Sequence, residues 1–420
     1  MTETTFAVIT LLILGWAVVS SLLVKLNITG ALVFTVAGFV LANPDWGAMS
    51  VDVDAPAVHV MAEVALALLL FSDAARVDVV RLRRDIGVPV RLLSVGLPLT
   101  LVLGAVVAAW CFDDLSLALV CFVAATLAPT DAALSAQVIN DAQIPLRLRR
   151  ALNVESGLND GIVTPIVAFT LTVAATQLGV PGAGHSPEGD ALRELAVGVG
   201  VGMAVGLGSG LLIALGWRRG WIMHGGRRLA SLAAALSSFA LALTLHGNGF
   251  IAAFVAGIAF GAQVKRDEAE VEAAVELPEL LGEVLALFVW FLFGAALVPV
   301  AIDHLDVATV TYAVSSLTVL RMVPVALALV GTGLDRRTAL FVGWFGPRGL
   351  ASVVFALLAV EELGDAAVVR QALAAVCLTV LLSVVLHGVS AGPLGRRYVR
   401  LERADEAGAE PRARKPVHSA

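Results

Sequence analysis

"ATLAPTDAALSAQ", residues 125–137, interrupts a long apolar run. Pro129 removes a backbone donor and its ring clashes with the preceding turn, so a helix entering from residue 115 cannot pass through it regularly. Carbonyls around Ala125 and Thr126 then lack helical partners, and Asp131 adds a carboxylate two residues on. At membrane depth such backbone is tolerated only where it is buried in protein or lines a cavity. The flanking sequence decides whether it lies at that depth.

It reads as membrane-embedded. Of 420 residues, 59% are hydrophobic and 15% charged, with mean hydropathy +0.90. Soluble domains carry about 25% charged residues. Apolar runs recur along the whole length and predict about thirteen helical spans. They fall near 5–25, 28–42, 57–73, 88–112, 115–139, 148–177, 190–217, 228–246, 249–264, 280–302, 306–331, 336–361 and 367–391. The fold class is therefore an all-α polytopic membrane protein. No cleavable signal peptide is expected, because the N-terminus has no basic lead and its apolar run is long enough to span. Cys111, Cys121 and Cys377 form no spacing motif and read as packing residues.

Loop charges test the count. One alternating set of loops holds Lys25, Arg76 to Arg91, Arg147 to Arg150, Arg218 to Arg228, Lys265, Arg266, Arg336 and Arg337. The other set holds only Arg193 and Arg370, beside Asp45, Asp52, Asp54, Asp113, Asp114, Glu361 and Glu362. By the positive-inside rule the N-terminus is outside and the C-terminus cytoplasmic. The segment 392–420 is polar and mixed in charge, and reads as a disordered cytoplasmic tail that at most lies along the membrane surface. It is too short for an appended nucleotide-binding domain. Residues 178–190 read as a flexible external loop.

Ionisable groups inside such spans cost at least ~2.5–3.5 kcal/mol each and are functional candidates. Asp131, Glu155, Asp160 and Arg348 stand out. In "NVESGLNDGIVTPIV", residues 153–167, Glu155 and Asn159 share one helix face, as do Ser156 and Asp160. All four form a polar strip facing away from lipid, with Asp160 about 18 Å along the helix from its cytoplasmic start. In "GWFGPRGLAS", residues 343–352, Gly343, Gly346, Pro347 and Gly349 predict a second break. The fifth and twelfth spans run in opposite directions, so two interrupted helices in the two halves are the pattern of an inverted-repeat transporter. Arg348 needs an anionic partner, and Glu155 is the expected one; that pair could equally serve packing specificity alone. Arg321 reads as a helix-packing residue, and Glu63 and Asp73 as end-of-span residues that snorkel or cap. His59, His246 and His387 read as satisfied polar groups.

Carboxylates, a hydroxyl, an amide and free carbonyls make an oxygen-lined site suited to a small hard cation and not to zinc or copper. Two acids crowded in a poorly solvated place let a proton compete with that cation, and the Asp131–Asp160 pair is expected to titrate as a unit. Competition of this kind produces exchange of a cation for protons. No GxxxxGK[ST] run is present, and no cofactor, nucleic acid or enzymatic reaction is expected.

Five segments carry a resemblance to a known family: "ESGLNDGIVTPI" (155–166), "ATLAPTDAAL" (125–134), "LLFSDAARVDVVRLRRD" (69–85), "HGNGFIAAFVAGIAFG" (246–261) and "FGPRGLASVVFALL" (345–358). In the same order, across roughly residues 5–390, they resemble NhaP-type sodium/proton antiporters of the monovalent cation/proton antiporter superfamily. The resemblance implies that Asp160 binds ion and proton, with Asp131, Ser156 and Thr130 completing the site for the transported Na+. It implies that Glu155 pairs with Arg348. It further implies homodimers in a bacterial cytoplasmic membrane, with a core bundle (about 88–177 and 306–391) moving against a dimerising scaffold (about 5–73 and 190–302). Asn159 matches the branch expected to exchange one cation for one proton without net charge movement. Ala128 stands where relatives often carry a more polar residue, which leaves Na+, Li+ and K+ as alternatives. K+/H+ exchange by the same fold is the nearest rival. An intramembrane aspartyl protease would need a GxGD setting that neither "PTDA" nor "LNDG" supplies, and a non-transporting membrane sensor leaves the two breaks unexplained.

Overall fold

In the computed structural model of the protein, the described residues are 3–49, 55–77, 87–180, 187–264 and 268–409. The loop residues Asp52, Asp54, Arg81, Arg83, Arg84, Lys265 and Arg266 lie outside them, as do residues 181–186 of the external loop and 410–420 of the tail.

Among the described residues the chain is helical, without strands. In order come α1 (Glu3–Lys25), α2 (Gly30–Leu41), α3 (Pro56–Arg76), α4 (Val88–Cys111), α5 (Leu117–Thr126), α6 (Ala136–Ile139) and α7 (Leu146–Leu178). Then follow α8 (Pro187–Arg218), α9 (His224–Thr244), α10 (Gly249–Val264), α11 (268–303), α12 (Val307–Ala328), α13 (Arg336–Trp344), α14 (Leu350–Leu363) and α15 (Ala367–Ala409). Taking α5 with α6 and α13 with α14, each helical unit overlaps one expected span. Among the described residues, eight helices are long and apolar enough to cross a membrane.

Local chemistry sets the ends. Thr29, Ser116, Asp306 and Asp335 cap α2, α5, α12 and α13, each side-chain oxygen accepting from the backbone N–H three residues on. α7 stops at Gly179, whose φ of +69° turns the chain left-handed at low cost and returns the Val180 N–H to Ala175. α4 and α11 each contain a π turn, at Leu92–Gly96 and Phe293–Leu297. The second receives α2: a Cβ on Gly294 would stand 1.9 Å from the Thr35 carbonyl oxygen, so only glycine permits this backbone contact.

α3 packs chiefly on α10 and α11, α8 on α10, and α2 on α11. α5 lies against α4 and α7, α12 against α15, and α14 against α15. α3 touches α7 and α14 more lightly. Apolar side chains such as Phe6, Leu11, Leu14, Val18 and Leu22 of α1 point outward, as a lipid solvent requires.

α15 departs from expectation. It continues through residues 392–409, which the sequence reads as disordered tail. The reason is packing: Tyr398 stacks on Phe341 of α13 with ring centroids 4.3 Å apart, and its hydroxyl meets Thr338 at 2.9 Å. Val399, Val138, Ile144 and Leu148 bury around it in a second apolar cluster. A mixed-charge composition hid one apolar face of a helix.

Candidate functional site

α5 ends at Thr126, before Pro129, and α13 ends at Trp344, before Gly346 and Pro347. The two unwound segments cross and exchange their unpaired groups. The Asp131 N–H donates to the Pro347 carbonyl at 2.8 Å. The Asp131 Oδ2 accepts from the Leu350 N–H at 2.9 Å, and its Oδ1 from Ala133 N at 2.7 Å and Leu134 N at 3.4 Å. In return the Arg348 guanidinium donates to the carbonyls of Ala128 and Pro129 at 2.7 and 3.0 Å. A carboxylate from one break thus faces the positive N-terminal end of α14, and a cation from the other faces the carbonyl end of α5. Ser352 Oγ donates to the Thr126 carbonyl at 2.6 Å. Ser383 accepts the Arg348 N–H at 2.7 Å, and His387 Nε2 lies 2.9 Å from the Trp344 carbonyl.

These contacts correct two expectations. The carbonyls released by the first break are largely taken by Arg348 and Ser352 and are not free for a cation. Arg348 does not pair with Glu155. Glu155 instead binds Arg321 of α12 in a two-pronged contact of 2.5 and 2.9 Å, both side chains 3% exposed. Arg348 sits on an unwound segment whose nearest acceptors are the neighbouring break's carbonyls. Arg321, on a helix crossing α7, is the cation that reaches the carboxylate. The sequence reading of Arg321 as a helix-packing or interface residue missed this pairing, because nothing in "VLRMVPV" shows which distant carboxylate it meets.

On α7 the predicted polar strip faces the crossing. Ser156 Oγ donates to the Thr130 carbonyl, and Asn159 Nδ2 to Thr130 Oγ1 at 2.7 Å. Glu155, Ser156 and Asn159 are buried, and the Asn159 Oδ1 has no hydrogen-bond partner among the described residues. Asp160, one residue on, is half-buried, and its carboxylate has neither a hydrogen-bond nor an ion-pair partner among the described residues. Its backbone carbonyl accepts from Thr164 Oγ1 at 2.7 Å.

Asp160, Asp131 and Ser156 line a cleft of about 1190 Å³ that opens beside Arg149 and Arg150. A third carboxylate shares it: Asp73, near the end of α3, lines the same space. The α3–α7 crossing there is close, since a Cβ on Gly157 would lie 3.5 Å from that of Asp73. At the mouth Arg76 joins α3 to α11, donating to Glu272 at 2.9 and 3.1 Å and to Glu279. Asp73 reads as a cap in the sequence, because it stands three residues before Arg76 at a span end, and no spacing ties it to Asp160.

No group of three or more His, Cys, Asp or Glu residues suited to holding a metal ion occurs among the described residues. Beside the crossing, Asp131 is held by backbone N–H groups and Asp160 has no partner among the described residues, which suits a weakly held, exchangeable cation better than a resident metal.

The family model described as the transmembrane sodium/hydrogen exchanger matches residues 8–397. The chain is 24% identical over 380 residues to the K(+)/H(+) antiporter NhaP of Alkalimonas amylolytica, covering 90% of this chain and 63% of that protein. It is 28% identical over 285 residues to the Na(+)/H(+) antiporter NhaP of Pseudomonas aeruginosa, covering 65% of this chain and 64% of that one. It thus spans less than two thirds of the length of these curated relatives. Among solved structures, the sodium proton antiporter MjNhaP1 from Methanocaldococcus jannaschii shares the fold with a TM-score of 0.74 at 18% identity. That alignment covers 94% of this chain and 99% of that one.

Proposed function

The chain belongs to the transmembrane sodium/hydrogen exchanger family, and from that premise we propose that it exchanges Na+ or Li+ for H+ across a bacterial cytoplasmic membrane by alternating access. The observation that carries this reading is the Asp160 carboxylate, half-buried at the inner end of a water-accessible cleft with no partner of its own. An acid so placed must acquire a proton or a cation, because leaving it charged and unpaired there is costly.

The roles follow from the contacts. Asp160 is the exchanging group. Ser156 and the Thr130 carbonyl, already hydrogen-bonded to each other, supply neutral oxygens beside it. Asp131 spends lone pairs on three backbone N–H groups, so it fixes the crossing and lends its remaining lone pairs and its charge. Asn159 holds Thr130 in place, and Glu155 with Arg321 anchors α7 to α12. Arg348, Pro129, Gly346 and Pro347 build the breaks. No hydrolytic or redox step is involved; the site binds and releases.

Movement divides the helices into a core of about 88–177 and 306–391 and a scaffold of about 5–73 and 190–302. The exposed apolar face of α1 is consistent with a homodimer. Loop charges argue for an N-terminus outside and a C-terminus in the cytoplasm, and on that orientation the cleft opens inward. K+ as the cation has its own support, since several curated relatives are named K(+)/H(+) antiporters.

The test is salt by salt. Purified protein in liposomes carrying a ΔpH dye is given Na+, Li+ or K+ in turn. Dequenching with Na+ or Li+ is expected; dequenching with K+ alone moves the assignment to K+, and none with any of the three overturns the reading.

A further inference from the structure

A second group of charges lies at the end of the molecule away from the cleft. α3 reaches the cleft at Asp73 and Arg76, while His59 stands fourteen residues earlier, about 21 Å of helix rise away. α14 likewise starts against the cleft at Leu350 and Ala351 and ends in Glu361, Glu362 and Leu363. There His59 Nδ1 lies 3.1 Å from Glu361 Oε2, the histidine 5% and the carboxylate 49% exposed. Glu63 of α3 lies within electrostatic reach of Glu361. Glu362 feels Glu361, Glu63 and Glu194 of α8, the last with Asp190 and Arg193 beside it.

A nearly buried imidazole against the Glu361 carboxylate takes no part in the ion site. What it does is join a scaffold helix to a core helix. In this state the cleft at Asp160 opens at one end; beyond its closed end α3 runs on through buried apolar residues, and the His59–Glu361 contact joins α3 to α14 on that far side. We infer that this contact seals the mouth opposite the cleft and must break each time the cleft closes; the inference rests on the alternating-access reading above.

Its energetics suit a contact that breaks in every cycle. With Glu361 half exposed, the pair is worth little in stability. Neither bundle needs to deform for the seal to part.

Two experiments test the seal. A His59→Cys/Glu361→Cys protein is made with Cys111, Cys121 and Cys377 changed to alanine. A short bis-methanethiosulfonate linker then bridges the pair, since facing His and Glu side chains leave their Cα atoms too far apart for a direct disulfide. Exchange should stop on linking and return with dithiothreitol; undiminished exchange by the linked protein overturns the inference. The second experiment needs no transported ion. A single cysteine at Asn153, which lines the cleft, reports cleft opening by its maleimide labelling rate. Glu361→Gln or His59→Gln should slow that labelling about two- to five-fold, the scale expected for losing a partly exposed polar contact. Unchanged labelling in both variants also overturns the seal. A parent protein that exchanges no monovalent cation overturns the transport reading alone, because labelling still reports on the seal.

Discussion

Arg321 of α12 holds Glu155 of α7 by two hydrogen bonds, 2.5 and 2.9 Å, in a place where both side chains are 3% exposed. The carboxylate five residues before the exchanging acid is thereby paired. Removing one partner leaves the other charged and buried. Arg321→Ala should therefore destabilise the protein by about 3–5 kcal/mol, whereas Glu155→Leu with Arg321→Met should cost clearly less. Thermal melting in detergent of the single and double variants checks this; a double variant as unstable as Arg321→Ala contradicts the pairing.

The crossing of the breaks leaves no room at Gly349. A Cβ there would stand 1.8 Å from Asp131 Oδ2 and 2.3 Å from Asp131 Cβ, atoms fixed by their own hydrogen bonds. Gly349→Ala should cost about 1–3 kcal/mol through overpacking and should lower exchange along with folded yield. Wild-type melting would mean that the crossing is looser than these distances require.

Much of this arrangement is legible in the sequence, and its gaps have physical causes. Pro129 and the Gly-Pro pair at 346–347 mark both breaks, because proline acts on its own backbone and needs no tertiary context. The α7 strip is legible from helical periodicity. The partner of Glu155 is not, since Arg321 and Arg348 both lie in apolar surroundings and only the crossing of helices decides between them. Nor is the use of the freed carbonyls by Arg348 and Ser352, which depends on how closely two distant segments approach. Asp73 reads as a cap until α3 and α7 are seen side by side, and the tail reads as disordered until Tyr398 finds Phe341.

At the other end of α13, Asp335 caps the helix from outside the apolar segment, accepting the Thr338 N–H at 2.9 Å. Hydrogen bonds from the Thr338 side chain and backbone hold its carboxyl below the ordinary value. A depressed folded-state pKa gives stability that is present above the unfolded-state value and lost as pH falls through the folded one. Asp335→Ala should thus lower stability by about 1 kcal/mol at neutral pH, as caps do. In acid the two melting temperatures should converge. A gap that persists after Asp335 is protonated would contradict the cap.

Asn159 is a neutral residue beside a single unpartnered acid, so one cation replacing one proton moves no net charge. Clamping the membrane potential of proteoliposomes with valinomycin and K+ should leave the Na+/H+ exchange rate unchanged. A steep voltage response would mean that more than one proton crosses per cation.

The central claim is that a cation and a proton compete for Asp160, and proton release measures it most directly. Na+ or Li+ is added to solubilised protein in weakly buffered solution while pH is followed. The wild-type protein should release protons in a saturable manner, and folded Asp160→Asn protein should release none. Release from Asp160→Asn equal to that of the wild type would place the competition at another group and contradict the account.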